Sequence, residues 1–172
     1  DLKIKIFADG ANLEEMLSVY HKGVVRGFTT NPSLMKKAGV KDYKAFARTV
    51  LQHIPDDAVS FEVFSDDFST MEKEAKVLSA LGNNVYVKIP VMNTKGESSV
   101  PLIKKLSAQG CLLNVTAIFT LTQVTAVVDA LSPDVPAIIS VFAGRIADAG
   151  VDAAALMKDA AKICAKKPKA EL

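Results

Sequence analysis

The sequence predicts a parallel α/β barrel. Two observations carry that prediction: short apolar runs alternate with longer amphipathic stretches throughout, and each apolar run finishes on a polar side chain. A helix between each pair of strands implies right-handed crossovers and therefore a parallel sheet. Such a sheet either opens into a doubly wound layer or closes into a (β/α)8 TIM barrel. Only closure gathers the strand ends at one mouth, where barrels keep their chemistry. The first strand-to-helix junction also speaks against the open form, because "FADGAN" matches neither the G-x-G-x-x-G dinucleotide loop nor a P-loop.

The apolar runs place strands at 4–9, 25–29, 59–64, 85–89, 111–116 and 137–142. Helices are predicted at 13–21, 41–53, 69–81, 98–108, 121–131 and 153–165. The third helix opens with Ser69 three residues before Glu72, a capping-box spacing, and ends ahead of Gly82, where a left-handed backbone is tolerated. Six strands are one or two pairs short of a barrel and normal for the open form, so strand count alone leaves both open.

A chain of 172 residues, 49% of them hydrophobic, can bury one sizeable core, and 1–172 is expected to form a single barrel domain. The net charge of +2 is spread along the chain, with lysine concentrated only in the tail "AKKPKAEL", so nucleic acid is not an expected partner. No apolar run reaches membrane-span length, and "DLKIKIFADG" reads as a strand rather than a signal peptide. Cys111 and Cys164 cannot build a disulfide framework, which points to a reducing cytoplasm. His21 and His53 fall on predicted helix surfaces and supply almost no material for a zinc site or a Ser-His-Asp triad. Chemistry must rest on Lys, Asp, Glu, Arg and hydroxyls.

Lys88 is the residue that most needs a reason. It sits in the apolar strand "NNVYVKIP", sharing a face with Tyr86 while Val87 and Ile89 face the other way. Turned into a barrel near its rim, it would be desolvated, which favours the neutral amine and makes it a nucleophile toward a sugar carbonyl. A structural lysine paired with Glu62 or Asp9 is the competing reading. Asp9 and Glu62 close the first and third strands, where carboxylates can move protons during bond cleavage and imine formation, or form only an ion-pair network. Arg145 offers a phosphate-binding fork or a surface salt bridge. Asn31, just before Pro32, reads first as a helix N-cap. Asn114 and Thr116 point to one face of a strand with no evident structural need for both, and a buried amide needs partners. Ser140 closes the sixth strand.

Five motifs, "GFTTNPSL", "SFEVFSDD", "YVKIPV", "LLNVTAIFTLTQ" and "SVFAGRI", follow the order and spacing of the transaldolase family, whose first strand "FADGAN" also resembles. The resemblance covers nearly the whole chain. It implies a (β/α)8 barrel with a Schiff-base lysine on the fourth strand, the strand that holds Lys88. Carried over motif by motif, Lys88 is the nucleophile and Asp9 the base that opens the C3–C4 bond. Glu62 and Thr116 hold and activate the catalytic water, Asn31 and Asn114 bind substrate hydroxyls and the carbinolamine or imine, Ser140 lines the pocket, and Arg145 binds the sugar phosphate. The implied reaction moves a dihydroxyacetone unit from a ketose phosphate to an aldose phosphate, with no metal or organic cofactor. The implied partners are sugar phosphates and further copies of the chain, since small relatives assemble as decamers.

Fructose 6-phosphate aldolases resemble the chain too, but typically carry Gln at the position of Glu62 and Tyr at that of Phe142. Small transaldolases continue for about 50 more residues, enough for two further strand and helix units, and the second phosphate-binding Ser and Arg lie in that segment. The chain is therefore expected to be incomplete at its C-terminus. A non-catalytic phosphosugar-binding module is one rival. A receiver domain is the other, but it needs paired acids after strand one and an aspartate closing strand three, where this sequence has one acid and a glutamate.

Overall fold

The computed structural model describes residues 3–172. Its backbone alternates strand and helix along the chain. Strand β1 (Phe7–Asp9) is followed by α1 (Leu13–His21), β2 (Gly27–Thr29), α2 (Pro32–Lys37), α3 (Tyr43–His53), β3 (Ala58–Glu62), α4 (Phe68–Ser79) and β4 (Val85–Pro90). Then come α5 (Val100–Ala108), β5 (Leu113–Ile118), α6 (Leu121–Ala130), β6 (Ala137–Val141), α7 (Ala143–Asp148), α8 (Ala153–Cys164) and β7 (Ala170–Glu171). Every predicted strand and helix is present, with ends shifted by a few residues. Asp1 and Leu2, part of the stretch read as an opening strand, lie outside the described residues.

The strands form one sheet in the order β1-β2-β3-β4-β5-β6-β7, each parallel to its neighbour. Sequential parallel order is the signature of a (β/α) barrel wall, since a doubly wound sheet reverses its strand order part-way. The wall is partial. β1 and β7 share no ladder, but Lys5 Nζ reaches Glu171 Oε1 at 2.5 Å between them. A cavity of about 630 Å³ opens there, lined by Phe7 and Thr29 on one side and Ile138, Ser140 and Glu171 on the other.

Strand parity divides the side chains into two layers. Val59, Phe61, Val85, Val87, Ile89, Leu113, Val115, Ala137 and Ile139 face outward and are buried beneath the helices. There they meet Met71, Ala75 and Leu78 of α4, Leu102, Ile103 and Leu106 of α5, and Val124, Val127 and Val128 of α6. This layer holds the core. The alternate residues, Ser60, Glu62, Tyr86, Lys88, Asn114, Thr116, Ile138 and Ser140, line the inside of the wall and are free to be polar.

Several local expectations are corrected. Ser69 and Glu72 form no capping box: Asp67 caps α4 by accepting from the Ser69 and Thr70 amides, while Glu72 turns outward to Lys76 and Lys105. Aspartate outcompetes serine because its charge faces the positive end of the helix. The reciprocal box is instead Thr120 with Gln123 at α6. Gly82 is not left-handed, and α4 ends on Ala80 in the right-handed region. Helix α7 was not anticipated, and α2 was signalled only by the capping position of Asn31 before Pro32, because six residues are too few to display a 3.6-residue period.

Candidate active site

The site grows from cross-strand register. Glu62, Lys88, Asn114 and Ile138 are successive partners on β3, β4, β5 and β6, so they form one rung inside the wall. Pro90 pairs with Thr116 two residues further toward the mouth. On the other side, Asp9 pairs with Thr29, and Thr29 with Ser60.

On this rung the Lys88 Nζ lies 3.7 Å from Glu62 Oε2, with the two side chains only 11% and 19% exposed. Burial pushes the Glu62 carboxyl above its ordinary value; the neighbouring Lys88 charge pulls it back down, and the charge of Asp9 adds to the rise. Asp9 is steadied by Thr29, whose hydroxyl donates to Asp9 Oδ1 at 2.9 Å.

Beside the lysine runs a buried polar chain. Ser140 Oγ donates to Asn114 Oδ1 at 2.7 Å, and Asn114 Nδ2 donates to Ser60 Oγ at 3.0 Å. Asn114 thus spans from β6 to β3 across the lysine's own strand, which answers why an amide is buried there. Thr116 is also buried, and its hydroxyl has no hydrogen-bond partner among the described residues. The residue after it, Ala117, is left-handed at φ 57°, where the pairing of β5 with β6 shifts register between Val115 and Ile118. A non-glycine residue there stores about 1–2 kcal/mol of strain.

Two of the predicted residues, Asn31 and Arg145, form no hydrogen bond with this cluster among the described residues. Asn31 caps α2, its Oδ1 accepting from Leu34 N at 2.9 Å, which leaves its Nδ2 to donate to another partner. Arg145 lies exposed on α7, and among the described residues its guanidinium forms no ion pair within 4.0 Å. The salt-bridge reading of Arg145 therefore has no support. Ahead of it, Phe142 packs edge-on against Phe119 with centroids 5.5 Å apart. Among the described residues, no group of three or more His, Cys, Asp or Glu is gathered for a metal ion.

Sequence reasoning missed Thr29, Ser60 and Tyr43. The first two were recoverable, since each lies two residues before a position already singled out and thus shares its face. Tyr43 reaches the site from α3, its hydroxyl donating to the Glu62 carbonyl at 3.0 Å, and nothing in its spacing announces this.

The family model for transaldolase/fructose-6-phosphate aldolase matches residues 6–171, a span that includes every residue of the cluster. The chain belongs to that family. A probable transaldolase from Dehalococcoides mccartyi is 37% identical over 93% of this chain and 70% of its own length. Probable transaldolases from Sphingopyxis alaskensis and Clostridium acetobutylicum are each 35% identical, over 91% and 93% of this chain and 68% and 70% of theirs. The chain thus spans about 70% of the length of these transaldolase relatives. Among solved structures, a dihydrodipicolinate synthase from Rhodopseudomonas palustris aligns with TM-score 0.41 and 15% identity, over 86% of this chain and 51% of that one. The barrel assignment rests on strand order and register instead.

Proposed function

We propose that the chain carries the catalytic centre of a transaldolase, transferring a dihydroxyacetone unit from a ketose phosphate, such as fructose 6-phosphate or sedoheptulose 7-phosphate, to an aldose phosphate. The observation that carries this reading is a lysine almost withdrawn from solvent, 3.7 Å from a carboxyl that burial drives toward its neutral form.

In this reading the Lys88 amine attacks the C2 carbonyl of the ketose and forms a carbinolamine. Loss of water gives a protonated imine, and a neutral Glu62 can donate the proton that lets the water leave. The buried Thr116 hydroxyl, without a hydrogen-bond partner among the described residues, is the natural second holder of that water. The iminium then draws in the C3–C4 electron pair as Asp9 takes the proton from the C4 hydroxyl, and an aldose phosphate departs. An enamine remains on Lys88. Its carbon attacks the aldehyde of the acceptor, Asp9 returns the proton, and hydrolysis of the new imine frees the product. Asn114, oriented by Ser60 and Ser140, and the amide nitrogen of Asn31 hold substrate hydroxyls. Arg145, exposed and without an ion pair among the described residues, meets the phosphate. Both cysteines are free and buried, which favours a reducing compartment.

Transfer is preferred over release of free dihydroxyacetone because position 142 is a phenylalanine packed on Phe119 and brings no hydroxyl to the enamine. The test is borohydride reduction with fructose 6-phosphate. A mass increase located at Lys88 is expected, and lost in K88A; an unchanged mass would instead favour a phosphosugar-binding module. Donor cleavage should then depend on added aldose phosphate, and equal cleavage without it would make the protein an aldolase.

A further inference from the structure

We infer that Tyr43, the first residue of α3, is a positioning residue that fixes the end of β3 and so aims Glu62 at Lys88. The parallel ladder explains why such a residue is needed. Odd-numbered residues of β3 bond toward β4, as in Val59 N to Asn84 O at 3.0 Å and Val63 N to Lys88 O at 3.1 Å. Even-numbered residues bond toward β2, as in Thr30 N to Ser60 O at 3.1 Å. The next carbonyl on that side belongs to Glu62, and the ladder calls for the N–H of residue 32. That residue is Pro32, which has none.

Tyr43 supplies the missing donor at 3.0 Å. Its ring is gripped by the two aromatics that bracket Glu62, edge-on to Phe64 at 4.7 Å and to Phe61 at 5.9 Å between centroids. The hydroxyl is therefore delivered on a fixed arm. With its carbonyl held by Tyr43 and the following amide held by Lys88 O, the Glu62 backbone has no slack at the point where the strand leaves the sheet. Burial and the nearby carboxylates of Glu62 and Glu74 keep the Tyr43 phenol protonated, as a donor must be.

This role rests on the reading of Glu62 as the acid that works beside Lys88, and the experiment separates the two. The Glu62 side-chain carboxyl is followed by 13C NMR across pH in the wild type and in Y43F, with its signal assigned through E62Q. The charged groups facing Glu62 are Lys88 from β4 and Asp9 from β1, and Y43F alters neither. Released from its tether, Glu62 is expected to titrate closer to the ordinary carboxylate range. In the borohydride assay the rate of adduct formation should fall about 10- to 100-fold with substrate KM unchanged. Identical Glu62 titration in the two proteins would overturn the proposal. A wild type that forms no adduct would sink the imine reading, and the titration would still decide the role of Tyr43. Should Y43F fail to fold, P32A in the same chain restores an N–H at residue 32. Recovery of both fold and Glu62 titration would support the tether, and recovery of fold alone would refute it.

Discussion

Lys88 and Glu62 face each other at 3.7 Å on adjacent strands, yet the acid's preference is set by burial more than by the lysine. Linkage turns this into a stability statement. A carboxyl whose folded pKa is raised binds its proton more tightly when folded, so it is neutral to stability below the ordinary value of 4.5 and increasingly unfavourable as pH climbs through the raised one. E62Q imitates the protonated form. It should unfold at a higher temperature than the wild type near pH 7, and at about the same temperature near pH 3, where both side chains are uncharged. A variant equally or less stable at neutral pH would show that the lysine, not desolvation, governs the pair.

Thr116 permits a sharper separation of structure from chemistry. A buried hydroxyl left unsatisfied costs about 1–3 kcal/mol, and valine has nearly the same shape without it. T116V is therefore expected to match or exceed the wild type in urea stability. If the hydroxyl holds the catalytic water, kcat should fall by about 100-fold or more. Loss of stability with activity retained would reverse the assignment and make Thr116 a structural residue.

The parts of this site carried by strand parity were legible in the sequence. Lys88 could be placed inside the wall because Val87 and Ile89 had to face the helices, and the same alternation aligned Asn114 with Thr116. What was not legible depends on geometry between elements. The amide of Asn114 needed Ser60 from two strands away, and Tyr43 reaches the Glu62 carbonyl from α3, an approach that no local pattern signals. The N-cap of α4 was misplaced for a different reason: Asp67, two residues before Ser69, has the same capping chemistry, and only its observed bonds to the Ser69 and Thr70 amides identify it. Short helices such as α2 and α7 carry too few residues to reveal a face.

The loop after β4, which follows Lys88, is fastened to the loop after β3, which follows Glu62. Asp66 does this by accepting from Thr94 N at 2.8 Å and from Thr94 Oγ1 at 2.6 Å. The hydroxyl bond, followed by the amide bond, holds the Asp66 carboxyl below its ordinary value of 3.8. The fastening is thus present above that value and released as pH falls through the lowered one. D66N retains the size but not the charge. Its Thr94 amide should exchange with solvent faster than in the wild type at neutral pH, and the two proteins should converge in acid. Unchanged exchange at neutral pH would mean that the loop is held by its own Asn93 bonds to Lys95 and Glu97 instead.

The base of the barrel offers a test of packing independent of the chemistry. Phe7, Gly27 and Ala58 are register partners on β1, β2 and β3. A Cβ built on Gly27 would stand 2.2 Å from Phe7 Cε1 and 2.5 Å from Cδ1, with the Ala58 carbonyl at 3.0 Å. Glycine is therefore required here for space, not for a left-handed backbone. In G27A the ring must swing, and it has somewhere to go, because Phe7 borders the cavity between β1 and β7. Overpacking relieved in this way should destabilise by about 1–3 kcal/mol, read from a lower urea midpoint at unchanged slope. The clash is with one side chain, so it should disappear when that side chain does. In a Phe7→Ala background, G27A is expected to lose most of its effect, giving a clear coupling energy between the two positions. Equal destabilisation in both backgrounds would place the conflict with the Ala58 carbonyl and show that the backbone of β3, not the Phe7 ring, excludes a side chain at position 27.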